Sequence, residues 1–148
     1  MDEGYDCLRL ENQVCFPLYV CSKEVVKRYR PMLEELDITY TQYITMMALW
    51  EKGSSTVNAL GDMLYLDSGT LSPLLKSLES KDLIRRDRSK DDERAVIVTV
   101  TDKGMELRDR ALSVPGRMAA CISLPPEKGK QLYDLLYEVI GLLDSKNE

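Results

Sequence analysis

The sequence predicts a mainly α fold with a small β wing, in the α+β class. Four leucines spaced by three and four residues mark one face of a helix that begins near Asp67, namely Leu71, Leu74, Leu75 and Leu78. Two strand-like runs, 83–88 and 95–101, follow it and flank the wholly polar segment RSKDDER. A helix followed by a hairpin with a charged tip is typical of a winged helix-turn-helix, whose tip projects toward water or a polyanion.

Apolar residues at helical spacing predict a long first helix over residues 8–33. Pro17 interrupts this stripe and should kink the helix near Cys15, unless the regular helix starts only there. Pro31 is a second expected perturbation, after which residues 34–37 form a short connection.

A second amphipathic helix is expected over residues 40–51, with Thr39 or Thr41 as its cap and Gly53 at its end. Its inward residues are predicted to be Tyr43, Met46, Met47, Leu49 and Trp50. A short helix capped by Thr56 then turns into the recognition helix, which completes the helix-turn-helix.

Thr101 is expected to begin a further helix, which Pro115 and Gly116 break or bend. The last helix follows Pro125 and Pro126, and its wide apolar stripe consists of Leu132, Leu135, Leu136, Val139, Ile140 and Leu143. A winged helix already closes a small core, so these terminal helices lack an obvious partner within the chain. Burial against a second copy is the simplest solution.

We therefore expect an intertwined homodimer formed through N- and C-terminal helices at 8–33 and 105–145. Each chain, 1–148, would carry one winged helix-turn-helix lobe at 36–104. Two such lobes would present their recognition helices to successive major grooves of double-stranded DNA. The operator should therefore be an inverted repeat.

Composition restricts the class of protein further. The net charge is −5, but residues 66–94 carry seven basic and seven acidic residues, so the excess acid lies elsewhere. No apolar run approaches the roughly 20 residues that cross a bilayer, and the acidic start MDEGYDC argues for a cytoplasmic protein. The four cysteines lack CxxC spacing and histidine is absent, so neither a zinc site nor another cofactor is expected.

The segment DDERAVIVTVTDKG at 91–104 resembles the wing signature of the MarR family, Asp-x-Arg followed by a strand and Leu-Thr-x-x-Gly, with Val100 where leucine is usual. The segments LENQVCFPLYV, LDITYTQYITMMALWE and LYLDSGTLSPLLKSLE are similar to its OhrR branch, the repressors that sense organic hydroperoxides. Pro17 stands where that branch usually has a small residue. The resemblance covers nearly the whole chain and implies a repressor rather than an enzyme.

Several residues are assigned to DNA contact. Those off the leucine stripe of the recognition helix are Asp67, Ser68, Gly69, Thr70, Ser72, Pro73 and Lys76, whose short side chains let the helix approach base edges and phosphates. In the wing, Arg94 suits a narrow minor groove and Arg86 is assigned to the same surface. Asp92 is expected to pair with a nearby arginine. On composition alone, Asp67 and Ser68 could serve only as caps and Lys76 could be merely solvated.

Cys15 is the predicted sensing residue. A lone cysteine is more often a small apolar core residue, but the resemblance favours a reactive thiol. Peroxide reacts with the thiolate, and without histidine the anion must be stabilised by other donors. The resemblance implies that Tyr29 and Tyr40 hold the sulfur across the dimer interface. Tyr19, one turn beyond Cys15, is expected to assist.

Oxidation by an organic hydroperoxide should leave Cys15 as a sulfenic acid. The resemblance then allows two fates, capping by a low-molecular-weight thiol or a disulfide with a resolving cysteine, for which Cys121 is the match. Cys21 lies about a third of a turn around the helix from Cys15 and is badly aimed for a bridge. We expect a disulfide between Cys15 and Cys121 of two subunits, with release of DNA.

Three other functions fit parts of the sequence. A repressor of this family could instead respond to a small aromatic ligand bound between the terminal helices and the DNA-binding lobe. A thiol peroxidase is a second alternative, although the arginine and threonine pattern of thioredoxin-fold peroxidases is absent. The third is an interaction protein that uses its winged helices only for dimerisation.

Overall fold

The computed structural model describes residues 3–144, and the chain divides into two units, 1–115 and 116–148. Two short 3-10 turns, Glu3–Leu8 and Leu10–Asn12, come first. The first unit then contains α1 (Cys15–Glu34), α2 (Tyr40–Lys52), β1 (Ser54–Thr56), α3 (Val57–Leu64), α4 (Ser68–Ser80), β2 (Ile84–Arg88), β3 (Val96–Val100) and α5 (Asp102–Ala111). Helix α6 (Val114–Ile122) crosses the boundary, and α7 (Pro126–Asp144) lies in the second unit.

Side-chain caps determine where four of these helices begin. At α2, the Thr39 hydroxyl accepts the Gln42 backbone N–H at 3.3 Å, and the Gln42 side chain accepts the Thr39 N–H at 3.0 Å. Gly53 ends α2 with a φ of 76°, a conformation that glycine adopts without strain. Single caps begin α3, α4 and α5, and they are Thr56, Asp67 and Thr101. The predicted starts of all four helices are confirmed.

The three strands form one antiparallel sheet in the order β1-β3-β2. Strand β2 pairs with β3 from Ile84 opposite Val100 to Arg88 opposite Val96, which confirms the predicted hairpin to within a residue at its ends. Strand β1 was not predicted, because a polar run of three residues carries no alternation that a strand pattern could use. It covers the other edge of β3.

The core of the first unit lies between α4, α2 and the sheet. All four leucines of the α4 stripe are at most 8% exposed, and Tyr43, Met46 and Leu49 of α2 are at most 3% exposed. Trp50 is half-buried and donates its indole N–H to the Gly104 carbonyl at 2.9 Å. The inward assignment of Met47 is wrong, since its side chain is 45% exposed. It lies about 100° around the helix from Met46, beyond the buried face.

Helix α1 starts at Cys15 rather than at residue 8. The preceding residues fold back on themselves instead, because the Asn12 amide donates to the Asp6 carbonyl at 2.9 Å and the Gln13 amide donates to the Cys7 carbonyl at 2.5 Å. Pro17 therefore occupies the first turn of α1, where its missing N–H removes no helical bond and no kink is needed. The second possibility left by the sequence is thus confirmed.

Two further expectations concern proline. Pro31 lies inside α1, which continues through it to Glu34. The expected break is present but lies two residues before Pro115, since α5 ends at Ala111 and α6 begins at Val114. Pro115 is the second residue of α6, a position in the first turn where proline is tolerated.

Helix α7 confirms the apolar stripe predicted near the C-terminus, and none of its residues is buried. Leu132, Leu135 and Leu143 are 47%, 59% and 63% exposed. The predicted dimerisation segment ends at Ser145, which lies outside the described residues. Within residues 3–144, no helix has the length and apolar character to cross a membrane.

Gly104 is predicted to be essential for packing α5 against the hairpin. A Cβ there would overlap the Leu83 carbonyl oxygen and lie 2.7 Å from a Val100 methyl carbon. Gly104→Ala should lower the free energy of unfolding by about 1–3 kcal/mol, as measured by urea denaturation. Gly129→Ala is the control, because a Cβ at Gly129 meets nothing within 4 Å. Equal stability of the two variants would contradict the close approach.

Candidate nucleic-acid interface and reactive thiol

The outward face of α4 carries the residues assigned to DNA. All seven are exposed, opposite the buried leucines: Asp67, Ser68, Gly69, Thr70, Ser72, Pro73 and Lys76. Asp67 acts as a cap, since its Oδ1 accepts the Thr70 backbone N–H at 2.8 Å. Capping leaves the second carboxylate oxygen available, and contact of this face with DNA stays a prediction.

The wing tip is shaped by side chains that accept backbone N–H groups. Asp92 Oδ1 accepts the Arg94 N–H at 3.0 Å, and the Ser89 hydroxyl accepts those of Asp91 and Asp92 at 3.3 and 3.4 Å. The structure pairs Asp92 with no arginine side chain within residues 3–144. Asp92 therefore holds the turn through the backbone of Arg94, and the Arg94 side chain remains exposed.

Arg86 is held against the end of α4 by Glu79. Its Nε and Nη2 donate to Glu79 Oε2 at 3.0 and 2.7 Å. The side-chain hydrogen bond from Arg86 holds the pKa of Glu79 below its ordinary value. Arg86 is thus partly committed to a contact within the protein, which its sequence context did not indicate.

Arg86 and Arg94 both line a cleft of about 410 Å³ between α3, α4 and the wing. The other polar residues of its lining are Thr56, Asn58 and Ser72. Hydroxyl, amide and guanidinium groups are the donors that bind DNA phosphates. Thr56 and Asn58 were not assigned to DNA from the sequence. One feature of the sequence could have indicated them: both residues lie at the start of the first helix of the helix-turn-helix, which crosses the DNA backbone in this motif.

Cys15 is the first residue of α1 and is exposed, so within this chain it is not a core residue. The other three cysteines are also free and exposed. The first backbone N–H groups of a helix have no intrahelical acceptor and attract negative charge. The sulfur therefore lies at the start of a helix and at the surface, where a reactant can reach it.

The two tyrosines assigned to the sulfur lie in an aromatic cluster elsewhere on the first unit. The ring centroid of Tyr29 is 4.9 Å from that of Tyr40 and 5.8 Å from that of Tyr43, a residue that was not assigned to the site. Burial raises the pKa of Tyr29, and negative charge on Tyr40 or Tyr43 would raise it further. Burial likewise raises the pKa of Tyr40. Both hydroxyls are therefore protonated donors at neutral pH.

Cys15 cannot meet Tyr29 of its own chain. Fourteen residues of continuous helix separate them, or about 21 Å at 1.5 Å per residue. The assigned contact accordingly needs a second subunit. Tyr19 is 59% exposed, and the Lys23 ammonium nitrogen lies 5.0 Å from its ring centroid. Cys121, the assigned resolving residue, is the penultimate residue of α6.

The fold and sequence match known regulators. A family model described as transcriptional regulator SarA/Rot matches residues 27–111. An organic hydroperoxide resistance transcriptional regulator of Bacillus subtilis is 44% identical over 147 residues, which cover 99% of this chain and 100% of the relative.

AbfR of Staphylococcus epidermidis is a structural relative that has been solved in several states. Reduced AbfR bound to DNA superposes with a TM-score of 0.77 at 34% identity, covering 95% of this chain and 98% of the AbfR chain. Overoxidised AbfR bound to DNA gives 0.76 at 33% identity, with the same coverage. Disulfide-formed AbfR gives 0.64 at 34% identity, covering 93% and 96%. The chain therefore belongs to the MarR family of transcriptional regulators, with a SarA/Rot-type segment, and within that family to the organic hydroperoxide regulators of the OhrR type.

Proposed function

We propose that this protein is a DNA-binding transcriptional repressor that senses organic hydroperoxides by oxidation of Cys15 and then releases its operator. The observation that carries the proposal is the exposed thiol at the start of α1, in a chain that matches an organic hydroperoxide regulator over its whole length. The chain acts in the cytoplasm, where a free thiol is kept reduced until an oxidant arrives.

The chemistry transfers one oxygen atom. The Cys15 thiolate attacks the terminal oxygen of the hydroperoxide and the O–O bond breaks. The alkoxide that leaves takes up a proton to become an alcohol, and the sulfur, oxidised by two electrons, is left as a sulfenic acid. Attack by a second thiol then forms a disulfide and expels water.

A homodimer would complete the thiol site. The side chains of Leu10, Val14 and Phe16 in the N-terminal region are 57%, 81% and 41% exposed, and α7 exposes Leu132, Leu135, Leu142 and Leu143. Burial of both regions, the segments 8–33 and 105–145, against a second copy would remove this apolar surface from water. In that arrangement Tyr29 and Tyr40 of one subunit donate hydrogen bonds to the Cys15 sulfur of the other.

The DNA-binding lobe, residues 36–104, would use two contacts on each half of an inverted repeat. Exposed hydroxyls of α4 and Lys76 enter the major groove, and Arg94 reaches the adjacent minor groove. The cleft between them, which Ser72 and Arg86 border, accepts backbone phosphates. Both half-sites of the inverted repeat are contacted together. The two DNA-binding lobes of the dimer must therefore keep a fixed separation.

The proposed releasing product is a disulfide between Cys15 and Cys121 of two subunits. AbfR supports this choice, since overoxidised AbfR is bound to DNA whereas disulfide-formed AbfR superposes less well on this chain. Added oxygen is therefore compatible with DNA binding in that relative. Capping of Cys15 by a low-molecular-weight thiol is the alternative route, and it needs no second cysteine of the chain.

A second candidate function is release by a small aromatic ligand. A cleft of about 280 Å³ beside Tyr40 combines the Arg30 guanidinium with the apolar side chains of Val26, Leu33 and Ile38. Arg30 can pair with the carboxylate of an aromatic acid and the apolar walls can hold its ring, whereas Glu34, which also lines the cleft, opposes an anion. Cys15 does not line this cleft, so Cys15→Ser separates the two functions, although Tyr40 borders both the cleft and the proposed thiol site.

Cys15→Ser should bind operator DNA with unchanged affinity and fail to release it after stoichiometric cumene hydroperoxide. The serine hydroxyl is nearly isosteric but is not oxidised under these conditions. Fluorescence anisotropy with labelled operator measures both properties, and Cys21→Ser on the same helix is the matched control that should still release DNA. Release of the Cys15→Ser protein by the peroxide would refute the proposed sensor.

Non-reducing gel electrophoresis tests the disulfide. Peroxide treatment should give a band of twice the chain mass that both Cys15→Ser and Cys121→Ser abolish and Cys7→Ser retains. If Cys121→Ser keeps the band, another cysteine resolves the sulfenic acid. If the unmodified protein gives no such band and releases DNA only when a low-molecular-weight thiol is added with the peroxide, capping by that thiol becomes the favoured route.

Arg94→Ala should weaken operator binding by about 1–3 kcal/mol, or roughly 5- to 150-fold, if Arg94 occupies a minor groove. Arg108→Ala serves as the control because it removes the same charge outside the wing. Arg108 is exposed on α5, and its Nε lies 3.9 Å from Asp109 Oδ1. Gel-shift titration at one fixed salt concentration compares the two. Equal affinities of the two variants would exclude the wing contact.

A further inference from the structure

Strand β2 is an edge strand, and one side of its backbone faces away from the sheet. Two bonds bracket its pairing with β3, from Ser89 N–H to the Ala95 carbonyl at 2.9 Å and from Thr101 N–H to the Leu83 carbonyl at 3.2 Å. Alternate residues of an antiparallel strand point their backbone groups to opposite sides. Since residues 83 and 89 bond toward β3, the N–H of Arg86 points outward.

Glu79 supplies the missing acceptor. Its Oε1 accepts the outward N–H of Arg86 at 3.1 Å, while its Oε2 accepts the two guanidinium bonds of the same residue. One carboxylate in the last turn of α4 thus receives both the backbone and the side chain of the middle residue of β2. The side chains of Glu79 and Arg86 are 36% and 30% exposed, so water competes only partly for these bonds.

This carboxylate lies where the wing joins the recognition helix. The tip of a five-residue strand lies about 17 Å from its base, so a 10° rotation at the base would move the tip by about 3 Å. The chain between α4 and β2 is short, and Asp82 within it has a positive φ of 60°. Its carbonyl accepts the Thr101 hydroxyl at 2.5 Å, and the Leu83 N–H bonds to the Leu78 carbonyl of α4 at 3.1 Å. Both contacts lie at the base of the wing, whereas Glu79 reaches the middle of β2.

We propose that Glu79 is a positioning residue that locks the wing to α4 through Arg86 and thereby sets the spacing between the major-groove and minor-groove contacts of one half-site. The inference rests on the proposed DNA-binding function and deepens it. Arg86 has five N–H donors, of which two bond to Glu79, so its remaining edge can still meet a phosphate in the cleft that it lines.

In Glu79→Gln, the loss of charge and the loss of positioning should change operator affinity in opposite directions. Removal of a negative charge beside DNA should by itself strengthen binding. Glutamine keeps one acceptor oxygen, so it cannot hold both the Arg86 N–H and the guanidinium. The weakened lock should instead lower operator affinity by about tenfold, within the range that loss of one arginine contact costs, and leave binding to unrelated duplex unchanged or stronger. Glu93→Gln is the matched control, since it removes the same charge from the wing tip. Operator affinity of Glu79→Gln equal to or above that of the unmodified protein overturns the inference.

Operators of altered spacing give a readout that general destabilisation would not move. One base pair is inserted between the major-groove core of each half-site and the minor-groove segment that Arg94 is proposed to enter. The unmodified protein should lose affinity sharply on this operator, and Glu79→Gln should discriminate between the two operators at most about threefold, because its wing no longer sits at one angle. An unchanged preference in Glu79→Gln counts against a positioning role.

Amide exchange tests the lock without DNA. In Glu79→Ala the Arg86 amide should exchange about tenfold faster, while the Ser89 amide, bonded within the hairpin, keeps its rate. An unchanged Arg86 rate overturns the inference whatever the DNA result. If the unmodified protein shows no preference for any operator, the proposed function fails, and the exchange rates still decide whether Glu79 holds the wing.

Discussion

Burial of one leucine face is the constraint on which this structure depends. The four leucines of α4 can leave water only if that helix lies against α2 and the sheet, and this places its polar face outward. The caps at Thr56 and Asp67 fix where the two helices of the motif begin, so the outward face carries a defined set of side chains. A surface for DNA is therefore a consequence of core packing together with helix register.

Features that depend on local chemistry could be predicted from the sequence. Caps, the hairpin and the leucine stripe all follow from residue types at fixed spacing, and they appear within a residue or two of their expected places. The resemblance to the family indicated Cys15, Tyr29 and Tyr40 as site residues, which the spacing of apolar residues alone could not do. Asp92 shows where prediction from residue types fails. A carboxylate among arginines suggests an ion pair, whereas Asp92 accepts the backbone N–H of Arg94.

The misplaced elements have separate physical causes. The apolar spacing continues back to Leu8 and so predicts too long a first helix. The Asn12 and Gln13 side-chain amides bond to backbone carbonyls instead and favour tight turns. Pro115 predicts a break at its own position, whereas proline is equally suited to a helix start and the chain breaks two residues earlier. Strand β1 exists only because β3 offers it an edge, and that edge belongs to a partner more than 40 residues away along the chain. Long-range pairing of this kind leaves no local pattern.

The sheet edges have a consequence for solubility. Unpaired N–H and C=O groups on an edge strand are a template on which another chain can add, and such addition leads to aggregation. Here β1 offers only three residues, and on β2 the outward Arg86 N–H is occupied while Arg85, Asp87 and Arg88 surround it with charge. Neither edge of this small sheet offers a long, neutral, unpaired strand. This arrangement protects the regulator from aggregation through strand addition.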